Sequence, residues 1–299
     1  MSTILLTGGT GLLGRAVLRA GGAGASWVLA VRDASRAPSA PQIRPWVVDL
    51  AAPWDARALP ERIDAVIHLA QEENYRGFPE SAGAMFEVNL ASTNRLLDYA
   101  RRAGARRFIF ASSGGIYGTS EAPLSETSLI QIEGPLAYYL ATKRAAELLV
   151  EPYSRYFGVS IFRIFFAYGP GQKPGFLMPN LVRSVRAGRP LSLAGPEGIR
   201  LNPIHADDAG RVLFAAANAS HPGLEVLNLA GPEVLSLRQI GEEIGRALGV
   251  APAFAVDLEK VPGHVVANTD RLQARYPAPQ LRFREGLAAW LATDPPELR

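Results

Sequence analysis

The turn that follows the first strand constrains the fold more than any other feature of the chain. The apolar stretch Thr3–Thr7 leads directly into Gly8, Gly11 and Gly14, and a helix-period stretch near Leu12–Ala20 overlaps the last of these. In a strand–loop–helix unit the first glycine permits a tight turn, the second lets the backbone approach a pyrophosphate, and the third lets helix and strand pack closely. The N-terminus of the helix then faces the phosphates. The spacing G-x-x-G-x-x-G in this context predicts a dinucleotide-binding loop rather than an ordinary turn.

Strand-length apolar runs alternate with helix-period stretches through the first half of the chain. The predicted strands are Thr3–Thr7, Trp27–Val31, Ile43–Val48, Ala65–Ala70, Arg107–Ser112 and Val159–Phe165, and the predicted helices are Leu12–Ala20, Phe86–Ala103 and Ala137–Phe157. Strands separated by helices require crossover connections, which give a parallel sheet with helices on both faces. We therefore predict an α/β fold, a Rossmann-type doubly wound parallel sheet with a smaller C-terminal substrate lobe.

The pattern changes after about Phe165. Loops rich in glycine and proline, Tyr168–Gly175 and Gly195–His205, flank a short predicted helix near Leu177–Ala187. We predict a dinucleotide-binding domain over residues 1–165 and a mainly substrate-binding lobe over 166–299, with a strand near 225–229 rejoining the sheet. Such a lobe closes over the crevice in which open parallel sheets bind their ligands.

Composition excludes several other classes of protein. The chain has no cysteine, which rules out disulfides and thiolate metal sites, and no metal is expected. Its formal net charge is only +3, and the basic residues are dispersed, so nucleic acid is not expected as a partner. We expect no signal peptide, because the first residues run directly into a predicted strand, and no membrane span, because no apolar run reaches the required length. We expect a cytoplasmic protein that does not bind membranes.

The end of the second predicted strand bears on the choice of dinucleotide. An acid at this point accepts the ribose hydroxyls of NAD, whereas an arginine pairs with the 2′-phosphate of NADP. Arg32 lies there, and a charge-assisted hydrogen bond contributes about 1.5–3 kcal/mol. Asp33 keeps the alternative open, because a shift of one residue would return an acid to the ribose. NADP(H) is favoured, and NAD(H) is the alternative.

A tyrosine and a lysine four residues apart begin the third predicted helix. Tyr139 and Lys143 lie on one face, one turn apart. Lowering the pKa of a tyrosine from near 10 to near 7 takes about 4 kcal/mol, and a cation about 4 Å away supplies that much at an effective dielectric constant near 20. Ser112 and Ser113 end the strand before this helix, so a hydroxyl is placed to orient the tyrosine and a substrate carbonyl.

Together these elements resemble the extended short-chain dehydrogenase/reductase family, which includes nucleotide-sugar epimerases, dehydratases and ketoreductases. The resemblance covers nearly the whole chain. The matching segments are Thr7–Gly14, Asp49 after the third strand, His68-Leu69-Ala70-Gln71, Asn89, Ser112–Gly118, Tyr139–Lys143, Arg163 with Tyr168-Gly169-Pro170, and Pro203–Asp208. We interpret His68 as a hydrogen-bonded strand-end histidine near the cofactor, not as a base or a ligand.

The resemblance implies roles for individual residues. The implied catalytic residues are Ser113, Tyr139 and Lys143. The implied cofactor-binding residues are Gly8, Thr10, Gly11, Leu12, Leu13, Gly14, Arg32, Asp49, Leu50, Leu69, Ala70, Gln71, Asn89, Ser112, Tyr139, Lys143 and Phe166. The implied substrate-binding residues are Ser113, Gly114, Tyr139, Phe176, Arg200 and His205. A homodimer formed through the helices at 86–103 and 137–157 is also implied.

Departures from the family pattern bear on the substrate. Phe166 replaces an asparagine that contacts a sugar diphosphate, and Leu201 replaces an arginine, with Arg200 one position early. If a nucleotide diphosphate binds, Arg200, Lys173 or Arg183 must hold it. Ser113 is followed by two glycines instead of the acid pair of a 4,6-dehydratase.

These observations lead to a main functional hypothesis and three alternatives. Arg32 and the short chain favour an NADP(H)-dependent oxidoreductase that reduces a carbonyl of a 4-keto sugar nucleotide, with tyrosine as acid/base. An NAD-dependent nucleotide-sugar epimerase is one alternative. A carbonyl reductase of a non-nucleotide metabolite, favoured by Phe166, is the second, and a non-catalytic NADP-sensing protein is the third.

Overall fold

The computed structural model describes residues 1–293. The strands are β1 (Ser2–Thr7), β2 (Ala25–Val31), β3 (Ile43–Val47), β4 (Ala65–His68), β5 (Arg107–Ser113), β6 (Gly158–Ile164), β7 (Ala167–Tyr168), β8 (Leu191–Ala194), β9 (Arg200–Leu201), β10 (Ile204–His205), β11 (Leu224–Leu229), β12 (Leu235–Ser236) and β13 (Phe254–Asp257). The α-helices are α1 (Leu12–Gly21), α2 (Ala82–Phe86), α3 (Ser92–Arg102), α4 (Ala137–Val150), α5 (Leu177–Arg186), α6 (Ala206–Asn218), α7 (Leu237–Leu248), α8 (Asp270–Gln273) and α9 (Phe283–Thr293).

Seven strands form one parallel sheet in the order β11-β6-β5-β4-β1-β2-β3. The register places Thr7 beside His68, and His68 beside Phe110. The carboxyl ends of β1, β4 and β5 therefore meet at one edge, next to the reversal of strand order where such sheets bind ligands. The predicted fold class, a Rossmann-type doubly wound α/β fold, is confirmed.

Helices cover both faces of the sheet, as buried parallel strands require. Alternate residues of β1 point to opposite faces: Leu5 joins a core with α3 and α4, and Leu6 joins a core with α1 and α6. Gly210 of α6 packs directly against the backbone of Ala16 in α1. Helix α6 was not among the predicted helices, because its N-cap is His205 instead of a residue typical of helix starts.

The smaller lobe is built around α5, α7 and α9, and β8 pairs with β13 beside them. Its core contains Met178, Val182, Ile240 and Trp290. Strand β11, by contrast, pairs with β6 and extends the main sheet. The chain beyond residue 165 thus contributes both to the lobe and to the sheet.

Two predicted helices are interrupted. The stretch predicted as Phe86–Ala103 contains a π-helical segment at Glu87–Ala91 before α3. The helix predicted over Ala137–Phe157 ends at Val150, and a 3₁₀ segment that contains Pro152 follows. Proline lacks the N–H that would continue the α-helical bonds. No helix in residues 1–293 is long and apolar enough to cross a membrane.

Candidate active site

The glycine loop between β1 and α1 forms a close-fitting cradle. Gly8 has a φ of +69°, and a Cβ there would come within 2.8 Å of the backbone nitrogen of Ala70. A Cβ on Gly14 would overlap the carbonyl oxygen of Gly8. Helix α1 begins after Gly11 without a side-chain cap, so its first N–H groups lack a side-chain acceptor. This loop fits the pyrophosphate of a dinucleotide.

A cavity of about 550 Å³ opens in front of this loop. It extends from the carboxyl ends of β2 and β3 to those of β4 and β5, and the start of α5 closes one side. The predicted site residues on its wall are Gly8, Thr10, Gly11, Leu12, Leu13, Gly14, Arg32, Asp49, Leu50, Leu69, Ala70, Gln71, Ser112, Ser113, Tyr139, Phe166 and Phe176. The structure therefore brings most of the predicted residues to one cavity.

Tyr139 is the predicted acid/base, and its side chain is buried against the cavity. Its hydroxyl donates a hydrogen bond of 2.9 Å to Oε1 of Gln71. Burial raises the pKa of Tyr139 above its ordinary value, Tyr75 raises it further, and hydrogen bonds with Ser113 and Gln71 oppose that rise. The phenol is therefore neutral and ready to donate a proton.

Lys143 lies beneath this wall instead of on it. The side chain is only 2% exposed, and its Nζ lies 5.0 Å from the centre of the Phe110 ring. Burial lowers the pKa of Lys143 to about 8, and the carboxylate of Glu147 opposes that shift. The expected lowering of the tyrosine pKa by Lys143 is not found, because desolvation dominates the pKa of Tyr139. The predicted effect of Lys143 on the pKa of Tyr139 is therefore corrected, whereas both residues do lie on one helix, α4, as predicted.

A buried ion-pair network supports the helix that carries both residues. Glu147 is fully buried and accepts hydrogen bonds from Nε of Arg163 at 3.1 Å and from Nη2 of Arg163 at 2.8 Å. The hydroxyl of Ser112 also donates to Glu147, so it is directed toward the network although Ser112 lines the cavity. Arg163, matched to a motif at the border of the substrate site, is thus a buried partner of α4.

Asn89 does not reach the cavity. Its Oδ1 accepts the backbone N–H of Glu72 at 3.0 Å, and its Nδ2 donates to Thr142 at 2.9 Å. Asn89 thereby joins the loop after β4 to helix α4. Its predicted contact with the cofactor stays a prediction.

Three predicted substrate residues also lie off the cavity wall. Gly114 is buried where a Cβ would overlap the Phe165 ring, so this glycine serves packing. Arg200 lies in β9, which pairs with β12. His205 is 2% exposed and accepts the backbone N–H of Asp207 as the N-cap of α6. None of the three is on the wall of this cavity.

His68 has hydrogen-bond partners on both ring nitrogens. Nδ1 lies 2.6 Å from Oγ1 of Thr7, and Nε2 lies 2.9 Å from Oγ1 of Thr93. Burial, followed by the charge of Lys143, lowers its pKa to about 3. The ring is therefore neutral, and the interpretation of His68 as a structural strand-end histidine is confirmed.

The cavity wall at the end of β2 shows which of two adjacent residues, Arg32 or Asp33, faces the cavity, a question that the sequence left open. The side chain of Asp33 turns away from the cavity and accepts hydrogen bonds from the backbone and hydroxyl of Ser35. Arg32 lines the cavity, and its Nη2 lies 2.7 Å from Oε1 of Glu73. Oε2 of Glu73 lies 2.6 Å from Nζ of Lys173, in the loop between β7 and α5. Of the three cations suggested for a diphosphate, Lys173 lines the cavity, whereas Arg183 and Arg200 do not.

Among the residues of the cavity wall that sequence reasoning did not identify are Glu73, Arg15 and Gln172. Glu73 adds a carboxylate, and Arg15 donates to the carbonyl of Gly171 at 2.8 Å. Gln172 is 6% exposed and donates to the carbonyl of Ala167, while its buried Oε1 has no hydrogen-bond partner among residues 1–293. The glycine- and proline-rich composition of residues 168–175 identified the loop, and no local pattern showed that it faces the dinucleotide cradle.

Cradle, cavity and tyrosine together define a dinucleotide-dependent enzyme of the short-chain dehydrogenase/reductase type. The chain belongs to the NAD dependent epimerase/dehydratase family, whose model matches residues 4–230. The predicted membership of the extended short-chain dehydrogenase/reductases is thereby confirmed.

Several individual proteins of known name or structure are similar to this chain. A UDP-glucuronate 4-epimerase of Thermodesulfobacterium geofontis (strain OPF15) is 30% identical over 190 residues, which are 62% of this chain and 58% of that protein. A probable UDP-glucuronate 4-epimerase of Rhizobium meliloti (strain 1021) is 27% identical over 254 residues, or 76% of this chain and 73% of that one. Among solved structures, MoeE5 in complex with UDP-glucuronic acid and NAD has a TM-score of 0.81 at 26% identity, covering 96% of this chain and 97% of MoeE5.

Proposed function

We propose that this chain is an NAD-dependent nucleotide-sugar epimerase that inverts C4 of a UDP-sugar. The observation that carries the proposal is the hydroxyl of Tyr139 on the wall of the cavity that contains the dinucleotide cradle. The 4-epimerases named above support the choice of reaction, and the NAD in the MoeE5 structure supports the choice of cofactor. The interpretation first favoured, an NADPH-dependent ketoreductase, is not confirmed.

The residues of the site have the roles that epimerisation needs. NAD bound in the glycine cradle supplies reversible hydride acceptance at the sugar carbon. Tyr139 would take the proton of the 4-hydroxyl as a phenolate and return it as a phenol; the positive charge of oxidised NAD nearby would favour the phenolate against the rise in pKa that burial causes. Gln71 accepts the hydrogen bond of the phenol between the two steps. The hydroxyl of Ser113 forms a hydrogen bond with the phenol of Tyr139. It is also placed to donate a hydrogen bond to the sugar oxygen. Its own oxygen already accepts the N–H of Gly115, which fixes its orientation.

The same site is less suited to dehydration. Gly114 and Gly115 follow Ser113, so no carboxylate succeeds the serine to remove a second proton. The lack of this carboxylate favours epimerisation over dehydration within the family.

The proposal is tested by incubating the enzyme with UDP-glucuronate and following the anomeric and H4 signals by proton NMR. We expect the 4-epimer to appear with no net change in nicotinamide absorbance. Tyr139→Phe should lower the rate by about 10²–10⁴-fold. The matched control is Tyr138→Phe, since Tyr138 stacks on Phe78 and does not line the cavity. Stoichiometric oxidation of NADPH with a 4-keto sugar nucleotide would instead restore the ketoreductase interpretation.

We also propose a homodimer. Leu148 and Leu149 of α4 are 52% and 38% exposed, and Phe86 at the end of α2 is 50% exposed. These apolar side chains lie on the helices through which the resemblance implies pairing. Sedimentation equilibrium measures the mass directly, and a monomer at assay concentrations would contradict this part of the proposal.

A further inference from the structure

One carboxylate holds two cations across the mouth of the cofactor cavity. Glu73 lies in the loop between β4 and α2, Arg32 directly follows β2, and Lys173 comes from the lobe. The two ion pairs, 2.7 Å to Arg32 and 2.6 Å to Lys173, use different oxygens of Glu73. All three side chains line the cavity. This arrangement, the Glu73 bridge, consists of these three residues.

The Glu73 bridge includes the residue that faces the adenosine ribose in this fold. Side chains at the end of the second strand of a doubly wound sheet discriminate a ribose hydroxyl from a 2′-phosphate. Arg32 occupies that point, Arg36 also lines the wall at this end, and Asp49 and Leu50 after β3 form the neighbouring wall. Asp33 is engaged with Ser35 and does not line the cavity. Glu73 is therefore the acidic side chain in contact with Arg32.

We propose that Glu73 determines cofactor specificity by withholding Arg32 from a 2′-phosphate, so that the enzyme prefers NAD over NADP. This inference rests on the NAD-dependent function proposed above. It explains why an arginine at the end of β2 is compatible with NAD-binding relatives. The acid that usually stands on β2 is replaced by one from a different loop.

The physical reason is competition between two anions for one guanidinium. A 2′-phosphate carries about −1.5 to −2 charges at neutral pH, like other phosphate monoesters. Glu73 engages one of the five N–H donors of Arg32, so a 2′-phosphate that pairs with Arg32 must either displace the Glu73 carboxylate or bind beside it, and in both cases the two like charges repel each other. Lys173 makes that displacement harder, because it holds the second oxygen of Glu73 in place. The uncharged ribose hydroxyls of NAD do not compete for the guanidinium.

The preference is graded and depends on salt. The side chains of Arg32 and Glu73 are 57% and 53% exposed, so solvent and ions screen their attraction. Lysine and arginine together lower the pKa of Glu73, with the hydrogen bond from Lys173 as the largest cause, so the carboxylate is ionised at neutral pH. The discrimination is expected to weaken as ionic strength rises.

The test measures dissociation constants of NADH and NADPH by nicotinamide fluorescence, which requires no turnover. Glu73→Gln should lower the ratio of the NADPH constant to the NADH constant about two- to fivefold, the effect of one ion pair whose side chains are more than half exposed. Glu72→Gln is the matched control: Glu72 also lines the cavity but makes no ion pair among residues 1–293, and its contact with the N–H of Asn74 survives as an amide contact. The double variant Arg32→Ala/Glu73→Gln should lose the gain in NADPH affinity.

The outcomes separate the inference from the function on which it rests. An unchanged ratio in Glu73→Gln overturns the role of Glu73, as does an equal change in Glu72→Gln, which would indicate a general effect of charge. Persistence of the gain without Arg32 overturns the mechanism as well. Failure of wild-type protein to bind either dinucleotide would overturn the proposed function itself.

Discussion

Lys143 should lower the stability of the folded protein at neutral pH. Its side chain is 2% exposed, and burial is the largest cause of its lowered pKa, about 8 against an ordinary 10.5. A residue retained at such a cost is typical of a functional site. We predict that Lys143→Met stabilises the protein while abolishing its activity.

The magnitude follows from the pKa difference. A fall from 10.5 to about 8 is about 2.5 pKa units, and each unit corresponds to about 1.36 kcal/mol, which gives about 3 kcal/mol. The attraction to Glu147 is already contained in this net shift. Methionine fills a similar volume without a charge. The variant should therefore gain about 2–3 kcal/mol at pH 7, which raises Tm by about 5 °C.

The free-energy cost of burying the charged lysine depends on pH. Below pH 8 the lysine is protonated in both the folded and the unfolded protein, so the full cost of burying the charge is present. Between pH 8 and 10.5 the folded protein has lost the proton while the unfolded chain retains it, and the cost declines. The advantage of Lys143→Met should therefore shrink as the pH rises through this window.

Denaturant unfolding of cofactor-free protein at a series of pH values from neutral to alkaline measures this difference. Lys260→Met is the control, since the side chain of Lys260 is 72% exposed and should give no comparable gain. A Lys143→Met protein less stable than wild type at pH 7, or an advantage that does not change with pH, would refute the reasoning.

Two further predictions concern the cradle and the buried histidine. Gly14→Ala should abolish dinucleotide binding, because its Cβ would overlap the carbonyl oxygen of Gly8, whereas Gly24→Ala meets no atom within 4 Å and should bind normally in a fluorescence titration. His68, with its pKa lowered from 6.5 to about 3, resists protonation in the folded protein while the unfolded chain accepts the proton. Its contribution of about 5 kcal/mol is present above pH 6.5 and is lost as the pH falls toward 3. Acid unfolding of His68→Gln should be less steep over that range, and an unchanged slope would contradict this assignment.

Local spacing in the sequence was enough to predict the sheet and the cradle. Gly8 and Gly11 lie in the turn after β1 and Gly14 in the first turn of α1, and Tyr139 and Lys143 lie within one helical turn, so neighbouring positions encode their geometry. The alternation of strands and helices fixed the parallel topology, since crossovers leave few other arrangements. Helix α6 escaped prediction because its start carries His205 as the N-cap.

Only the tertiary structure decided the electrostatics of the site. The pKa of Tyr139 rises because of burial, which the i,i+4 spacing to Lys143 does not encode. The bridge joins Glu73 to Arg32, 41 positions earlier, and to Lys173, 100 positions later. Desolvation and long-range ion pairs depend on which segments the fold brings together. The sequence by itself therefore determined the glycine cradle, and the packing of distant loops decided which charges line the cavity in front of it.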